Sequence, residues 1–574
     1  MTPPRAQGAA ARRADAAITA DEVRARRAAL TRFGPGSADS RTLALADVDD
    51  RGFADVAALV EWHDLMLFVV AHPAAPAEVV AAERGLDAAA RAARDIAQGG
   101  RTRDRRALEE TGLSWSTVRA NFGLAIARWL SLRHPGCARV DEVDESSITL
   151  AESLAPGLPA LQAEIAAGGT PEAAGLPAAF GGSGADLGWL VRAFDRLPVT
   201  EAVREQIWDR VQPSLIVSPR DGTLARTRLR GLASDPAYVD RLVREVDVRA
   251  TIGAPLQHAP RRSLAERQRL VDAGRGTLAV LGRETDALSC TSARDTRWLP
   301  LGRGLAIALH APAADRRGPL DTHVGFVLYR NSVPVAYGGG WPFAGGCRIG
   351  VNVFPAFRGG ESAVLFAQVL RAYRSSFGVE RFLVEPYQYG LGNREGLESG
   401  AFWFYWRLGF RPVDHRVHEL ALSEATKVEA DRAYRAPITV LRRFTTSDIA
   451  LDLVPGAAPP EPSALAERGS AWLARHARGD PSRAERVALG AAQRALGRRA
   501  PATGPRRAAW VAWAPLVAQL AGIDGWSQRD RTALAAIIEA KAADEFDFQR
   551  RVVGHRRLRE ELRRLAQTPE DRAR

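Results

Sequence analysis

The segment VFPAFRGGESA, from Val353 to Ala363, contains residues that could bind a phosphate group. Pro355 ends a strand because it has no N–H for the ladder, and Gly359-Gly360 permit a tight turn. The helix that we expect to follow leaves its first N–H groups without helical partners, at the positive end of the helix dipole. Such a turn can hold an anion, and Arg358 adds a positive charge. By itself, the pattern also fits a plain connection into a core helix.

A second segment, AFWFYWRLGF from Ala401 to Phe410, places a tyrosine in a short aromatic helix. We expect this helix to span roughly Gly400 to Leu408 and to stop at Gly409. Tyr405 lies four residues before that glycine. A helix of this composition would be mostly buried, so Tyr405 could be a core residue as readily as a functional one.

The region around these segments has the pattern of an α/β fold. Asn331-Ser332 lies between two apolar runs and predicts a hairpin. Apolar residues at helical spacing predict a helix from Ser362 to Ser376. The strand-like segments are Gly304 to His310, His323 to Arg330, Val333 to Gly338, Arg348 to Phe354 and Arg381 to Glu385.

In this order, the two segments resemble the cofactor-binding core of the GNAT-type N-acetyltransferases. The first segment matches the family pattern of a strand that ends in V-x-P-x-aromatic-R-G. The second matches the A-x-x-x-Y-x-x-x-G-F spacing. The resemblance covers roughly Gly304 to His418, about a fifth of the chain. The matching residues are Val353, Pro355, Phe357, Arg358 and Gly359 in the first segment, and Ala401, Tyr405, Gly409 and Phe410 in the second.

The resemblance implies a mixed sheet and transfer of an acyl group to an amine, with acetyl-CoA or another acyl-CoA as co-substrate. Tyr405 would protonate the departing thiolate, and Glu385 would be the general base. No metal is implied. The acceptor would be a small molecule or a protein, and its identity stays open. The implied cofactor-binding residues are Val353, Arg358, Gly359, Gly360, Ser362 and Ala363.

Glu361 departs from the family pattern, because a glycine is expected at its position. A carboxylate beside a pyrophosphate would repel it by about 1 kcal/mol or more. Alternatively, Glu361 could point away and cap the helix, with Gly360 providing the clearance. Glu398 is a second departure, at a place where the family often has asparagine. If Glu361 abolishes the cofactor site, the chain would be a non-catalytic scaffold or interaction protein with this fold.

The 574 residues are too many for one ordinary domain. We expect a helical N-terminal region over residues 1–250, a GNAT-like domain over 251–455 and a helical, arginine-rich C-terminal region over 456–574. The proline-rich segment GAAPPEPSA would be the linker that opens the last region. Its final helix is expected to run from Phe546 to Ala566.

A nucleic-acid-associated protein is the remaining alternative. The formal net charge is +12, and the segment Leu108 to Leu130 has Gly112 and Val118 at helix-turn-helix spacing. However, only Lys427 and Lys541 are lysines, and the other basic residues are arginines. Such a preference indicates a GC-rich coding bias more than selection for binding an anion. A nucleic-acid partner is therefore not expected.

The compartment is predicted from cysteine usage and from the N-terminus. The three cysteines are few and far apart, which argues against a disulfide framework. The N-terminal residues have no apolar segment typical of a secretory signal, and the early run Ala54 to Val70 is too charged to span a membrane. We expect a cytoplasmic protein without membrane association, and the oligomeric state stays open.

Overall fold

In the computed structural model, the described residues are 17–34, 36–46, 51–143, 149–168, 186–219, 224–229, 236–257, 262–431 and 433–567. They form a mixed α/β structure built around an eight-stranded sheet. The first 16 residues, which make up most of the N-terminal segment considered above, lie outside this part of the chain.

The strands are numbered in chain order. Strands β1 to β11 span Val118–Asn121, Ala138–Glu142, Ser214–Val217, Thr291–Gly302, Leu305–Pro312, Val324–Arg330, Val333–Phe343, Gly346–Val353, Arg381–Val384, Arg411–Pro412 and Ile449–Asp452.

The helices are numbered in the same way. Helices α1 to α12 span Ala20–Leu30, Ala38–Ala44, Val56–Ala71, Pro76–Gly99, Thr102–Leu108, Leu124–Arg133, Leu150–Leu154, Ala160–Gly168, Leu187–Asp195, Glu201–Val211, Val248–Gly253 and Leu264–Ala279. Helices α13 to α24 span Asp286–Ser289, Ser362–Phe377, Arg394–Glu398, Ala401–Arg407, His415–Ala430, Ile438–Phe444, Pro462–Ala477, Pro481–Leu496, Gly504–Val517, Gln528–Ala543, Glu545–Gly554 and Arg556–Gln567.

The large sheet has the strand order β10-β11-β9-β8-β7-β6-β5-β4. Strands β8 and β9 run parallel, and the other neighbours in this sheet run antiparallel. A parallel pair needs a crossover connection, and α14 lies within it. The glycine turn therefore connects the end of β8 to the start of α14.

The predicted hairpin is confirmed. Asn331 and Ser332 have φ angles of 46° and 65°, the left-handed conformation that a two-residue turn between β6 and β7 needs. The five predicted strands correspond to β5, β6, β7, β8 and β9, and the predicted helix over Ser362 to Ser376 corresponds to α14.

Strand β4 was missed because its sequence does not look like a strand. It lies at the edge of the sheet, and most of its side chains are only half-buried. Polar residues therefore interrupt the apolar alternation by which strands are recognised.

Helices cover both faces of the sheet. The ring of Tyr373 on α14 lies 6.1 Å from the ring of Phe326 on β6. The next residue, Val327, points to the other face of the sheet. Helix α12 covers that face, since a Cβ added at Gly274 would lie 3.4 Å from the side chain of Val327.

The N-terminal region, which we expect to be helical over residues 1–250, also contains strands. Strands β1, β3 and β2 form a second, antiparallel sheet in that order. The helix-turn-helix interpretation of Leu108 to Leu130 is wrong, because Val118 to Asn121 is extended and pairs with β3. On that strand, Arg119 forms an ion pair with Asp141.

The buried apolar residues form three large clusters. The first joins helices α1, α3 and α4 to the large sheet and to α14. The second surrounds the small sheet, and the third holds the C-terminal helices together with Leu320, Phe343 and Ala344. The N-terminal helices therefore share a core with the sheet across the predicted boundary at residue 250.

The C-terminal region is helical, as expected, but its last predicted helix is divided. His555 separates α23 from α24. The proline-rich segment is packed rather than free, since a Cβ at Gly346 would lie 3.0 Å from Pro459. In the described ranges, none of the helices has the length and apolar character needed to cross a bilayer.

Candidate functional site

The turn between β8 and α14 presents a run of backbone donors. Across the described residues, the N–H groups from Gly359 to Val364 donate no hydrogen bond to another protein group. Gly359 has a φ of 76°, which favours glycine. A Cβ added at Gly359 or Gly360 would meet nothing within 4 Å. The turn is therefore open to a ligand and has donors that could bind an anion.

The carboxylate of Glu361 is buried and bonded to groups from three other segments. Glu361 is only 4 % exposed. One of its oxygens, Oε2, pairs with Arg330 and lies 3.3 Å from Nε2 of His72. The other, Oε1, accepts the N–H of Val243 at 2.7 Å. Glu361 stands at the N-cap position of α14, but its side chain does not cap that helix.

These partners decide the charge of Glu361. Burial alone would raise its pKa, but the hydrogen bond with His72, the charge of Arg330 and the N–H of Val243 lower the pKa to about 2. Burial lowers the pKa of His72 below its usual value. Near neutral pH, the group therefore contains an ion pair between Glu361 and Arg330, with the ring of His72 beside it.

Arg330 has donors that the protein leaves unused. Its side chain is 1 % exposed, and only Nη1 is bonded, to Glu361. Its Nε and Nη2 have no hydrogen-bond partner among the described residues. Buried donors are normally paired, so two unpaired nitrogens on one guanidinium call for an explanation.

A cavity of about 210 Å³ lies beside the turn. Arg330, Gly359, Gly360 and Glu361 line it, together with apolar residues that include Phe68 and Phe357. Three further arginines complete the lining, namely Arg27 of α1, Arg244 of the segment before α11, and Arg358. Four guanidinium groups against one carboxylate give the cavity a positive charge.

The four arginines differ in their partners. Arg358 donates from Nε to the carbonyl of Val353 at 3.0 Å and pairs with Glu395 at 2.6 Å. Arg27 and Arg244, by contrast, form no side-chain hydrogen bond or ion pair with any described residue. Burial lowers the pKa of Arg27, although Asp64 and Glu61 act against this at longer range.

Strands β8 and β9 separate soon after they begin. Their parallel pairing covers Gly346 to Arg348 on β8 and Arg381 to Leu383 on β9. Farther along, the side chain of Gln388 lies against β8, since a Cβ at Gly350 would be 2.9 Å from its amide nitrogen. Gln388 belongs to a 3₁₀ turn, Pro386–Tyr389, that follows β9.

Tyr405 is buried in an aromatic cluster. It is 3 % exposed and packs edge-to-face on Phe366 of α14 at 5.6 Å and on Phe410 at 5.8 Å. Its hydroxyl has no hydrogen bond within the described part of the chain. Burial raises the pKa of Tyr405 above its usual value, so the phenol keeps its proton. Its role as an acid stays a prediction.

Glu385 lies at the surface, with its side chain 55 % exposed. It is 3.4 Å from Nη1 of Arg348, which also pairs with Asp448 at 2.9 Å. The structure gives no direct contact between Glu385 and Tyr405. The predicted cofactor residues, from Val353 to Ala363, do lie together at the turn.

The sequence interpretation missed Arg27, His72, Arg244 and Arg330. Arg330 had a recognisable signal, because a charged residue that ends the apolar strand GFVLYR needs a buried partner. The other three come from distant segments, and their positions depend on long-range packing. In the described ranges, no group of three or more His, Cys, Asp or Glu side chains is arranged to hold a metal ion.

Comparison with known proteins provides no relative. No family model, no curated protein and no solved structure matches this chain.

Proposed function

We propose that this chain is an N-acyltransferase that moves an acyl group from acetyl-CoA or another acyl-CoA to an amine. The observation that carries the proposal is the run of unpaired N–H groups from Gly359 to Val364, next to an arginine-lined cavity. Backbone donors at a helix start, with glycine clearance and positive charge nearby, suit a diphosphate such as that of coenzyme A.

The position of Glu361 supports the proposal. A carboxylate facing the turn would repel a diphosphate, but this carboxylate is buried, and Arg330 compensates its charge. The glycine side of the turn is left open. The departure from the family pattern therefore does not by itself block an anion.

The mixed sheet fits this proposal and the scaffold alternative equally, so the open turn is what favours the enzyme. The parallel pair of the sheet, β8 and β9, carries the turn at the end of β8, and the strands separate toward that end. This is the arrangement that the resemblance leads us to expect for a GNAT-like domain.

The reaction would be a direct attack of the amine nitrogen on the thioester carbonyl. The new C–N bond forms, the C–S bond breaks, the amine loses a proton, and the thiolate gains one. Tyr405 would give that proton as a neutral phenol. Glu385 is the predicted base for the amine.

Isothermal titration calorimetry with acetyl-CoA tests the proposal. We expect saturable binding below millimolar concentration, weakened by inorganic diphosphate as a competitor. No binding of acetyl-CoA at millimolar concentration would overturn it.

A further inference from the structure

Glu361 organises three separate parts of the chain around the turn. Its carboxylate is bonded to Arg330 at the end of β6, to the N–H of Val243, and to His72 just after α3. These contacts also position neighbouring residues. Arg244 follows Val243 directly, and α1, which carries Arg27, packs on α3.

The result is a group of cations with too few anions. Arg27, Arg244 and Arg330 line one cavity, and Glu361 is the carboxylate that lines it with them. Buried or half-buried cations are usually paired, because desolvating an unpaired charge is costly. Arg330 is buried and Arg27 is half-buried, whereas Arg244 is exposed. Arg27 and Arg244 have no ion pair among the described residues, and Nε and Nη2 of Arg330 have no hydrogen-bond partner there. A dianionic ligand group would satisfy this charge.

The turn itself has no need of these arginines to hold a diphosphate. Its six consecutive N–H groups, with Arg358 beside them, already provide enough donors. A phosphate monoester carries a charge of about −1.5 to −2 near neutral pH and accepts several hydrogen bonds. Two or three guanidinium groups on one side of a small cavity match such a group.

We propose that Arg27, Arg244 and Arg330 form a second phosphate subsite, distinct from the backbone donors of the turn, that binds a phosphate monoester of the same ligand. This inference rests on the proposed function. For an acyl-CoA, the monoester is the 3′-phosphate of the ribose. Glu361 is then a positioning residue, which holds the arginines in place without touching the reacting atoms.

The test compares coenzyme A with dephospho-coenzyme A, which lacks only the 3′-phosphate. Calorimetry is done on the full-length protein at constant salt. We expect the wild type to bind coenzyme A at least about tenfold more tightly, the size expected for charge-assisted hydrogen bonds. Arg27→Gln and Arg244→Gln should each reduce this ratio by lowering the affinity for coenzyme A. The affinity for dephospho-coenzyme A should not change.

Arg24→Gln is the matched control. Arg24 lies on α1 like Arg27, but it is more than half exposed and pairs with Asp21 and Glu61 outside the cavity. The Arg24→Gln variant should leave the affinities for coenzyme A and dephospho-coenzyme A unchanged. Because Arg27 and Arg244 have no ion pairs to lose among the described residues, their variants should melt at the wild-type temperature.

The outcomes separate the two proposals. Equal binding of coenzyme A and dephospho-coenzyme A by the wild type would overturn the subsite and leave the acyltransferase proposal standing. A ratio that Arg27→Gln and Arg244→Gln leave unchanged would also overturn the subsite. Failure of both ligands to bind would overturn both proposals.

Discussion

Nη1 of Arg330 is bonded to the carboxylate of Glu361, and both side chains are almost completely buried. Arg330 ends a strand of the large sheet, and Glu361 precedes the helix that follows the glycine turn. The pair therefore connects the turn to the sheet and compensates the negative charge of Glu361 beside the turn.

Glu361→Ala should destabilise the protein strongly. Removing one partner of a buried ion pair leaves the other charge uncompensated, at a cost of about 3–5 kcal/mol. Urea unfolding measures this change. The control is Glu395→Ala, whose carboxylate is exposed and pairs with Arg358. It should change the free energy of unfolding by no more than about 0.5 kcal/mol. A loss below 1 kcal/mol for Glu361→Ala, roughly the size of an ordinary surface effect, would contradict the role assigned to this pair.

The pKa of Glu361 predicts how stability depends on acid. Its folded-state pKa is about 2, below the usual 4.5, so the stability that it contributes is present above pH 4.5. That contribution is lost as the pH falls toward 2. We expect the stability of the wild type to drop more steeply in this range than that of Glu361→Gln. Urea unfolding at a series of pH values checks this, and parallel curves for the two proteins would count against it.

Gly360→Ala should weaken acetyl-CoA binding without unfolding the turn. Gly360 does not have the left-handed φ of Gly359, and a Cβ there enters open space beside the cavity. The methyl group would occupy room that a phosphate needs, with an expected loss of about tenfold in affinity, or about 1.4 kcal/mol. Gly99→Ala is the control, because its added methyl group also enters open space, at the end of α4 and away from the turn. Equal affinity of the two variants would show that no ligand approaches the turn closely.

Tyr405→Phe should lower turnover while leaving the structure unchanged. The hydroxyl has no hydrogen bond within the described part of the chain, so its removal should cost less than about 1 kcal/mol of stability. Steady-state turnover and thermal melting are measured on the same preparation. Unchanged turnover would remove Tyr405 from the mechanism, though not the activity itself.

Local sequence patterns predicted the elements around the turn. Asn331-Ser332 indicated the hairpin, and the proline and glycines after Val353 indicated the turn that opens α14. These signals work because turn chemistry depends on a few adjacent residues. Strand β4 was not predicted, because it is a half-exposed edge strand whose polar residues interrupt the apolar alternation.

The surroundings of Glu361 could not be predicted in the same way. Its partners His72 and Val243 are 289 and 118 residues away in the chain. Such contacts are fixed by the packing of the N-terminal helices on the sheet, and no local pattern encodes them. The sequence left open whether Glu361 caps its helix, and its side chain bonds to distant segments instead.

A crystal structure with acetyl-CoA bound is the most direct test of the central claim. We predict that the diphosphate lies within hydrogen-bond distance of the N–H groups between Gly359 and Val364, with the carboxylate of Glu361 still turned toward Arg330. A diphosphate bound elsewhere on the protein, or a Glu361 side chain turned into the turn and excluding the ligand, would contradict the claim.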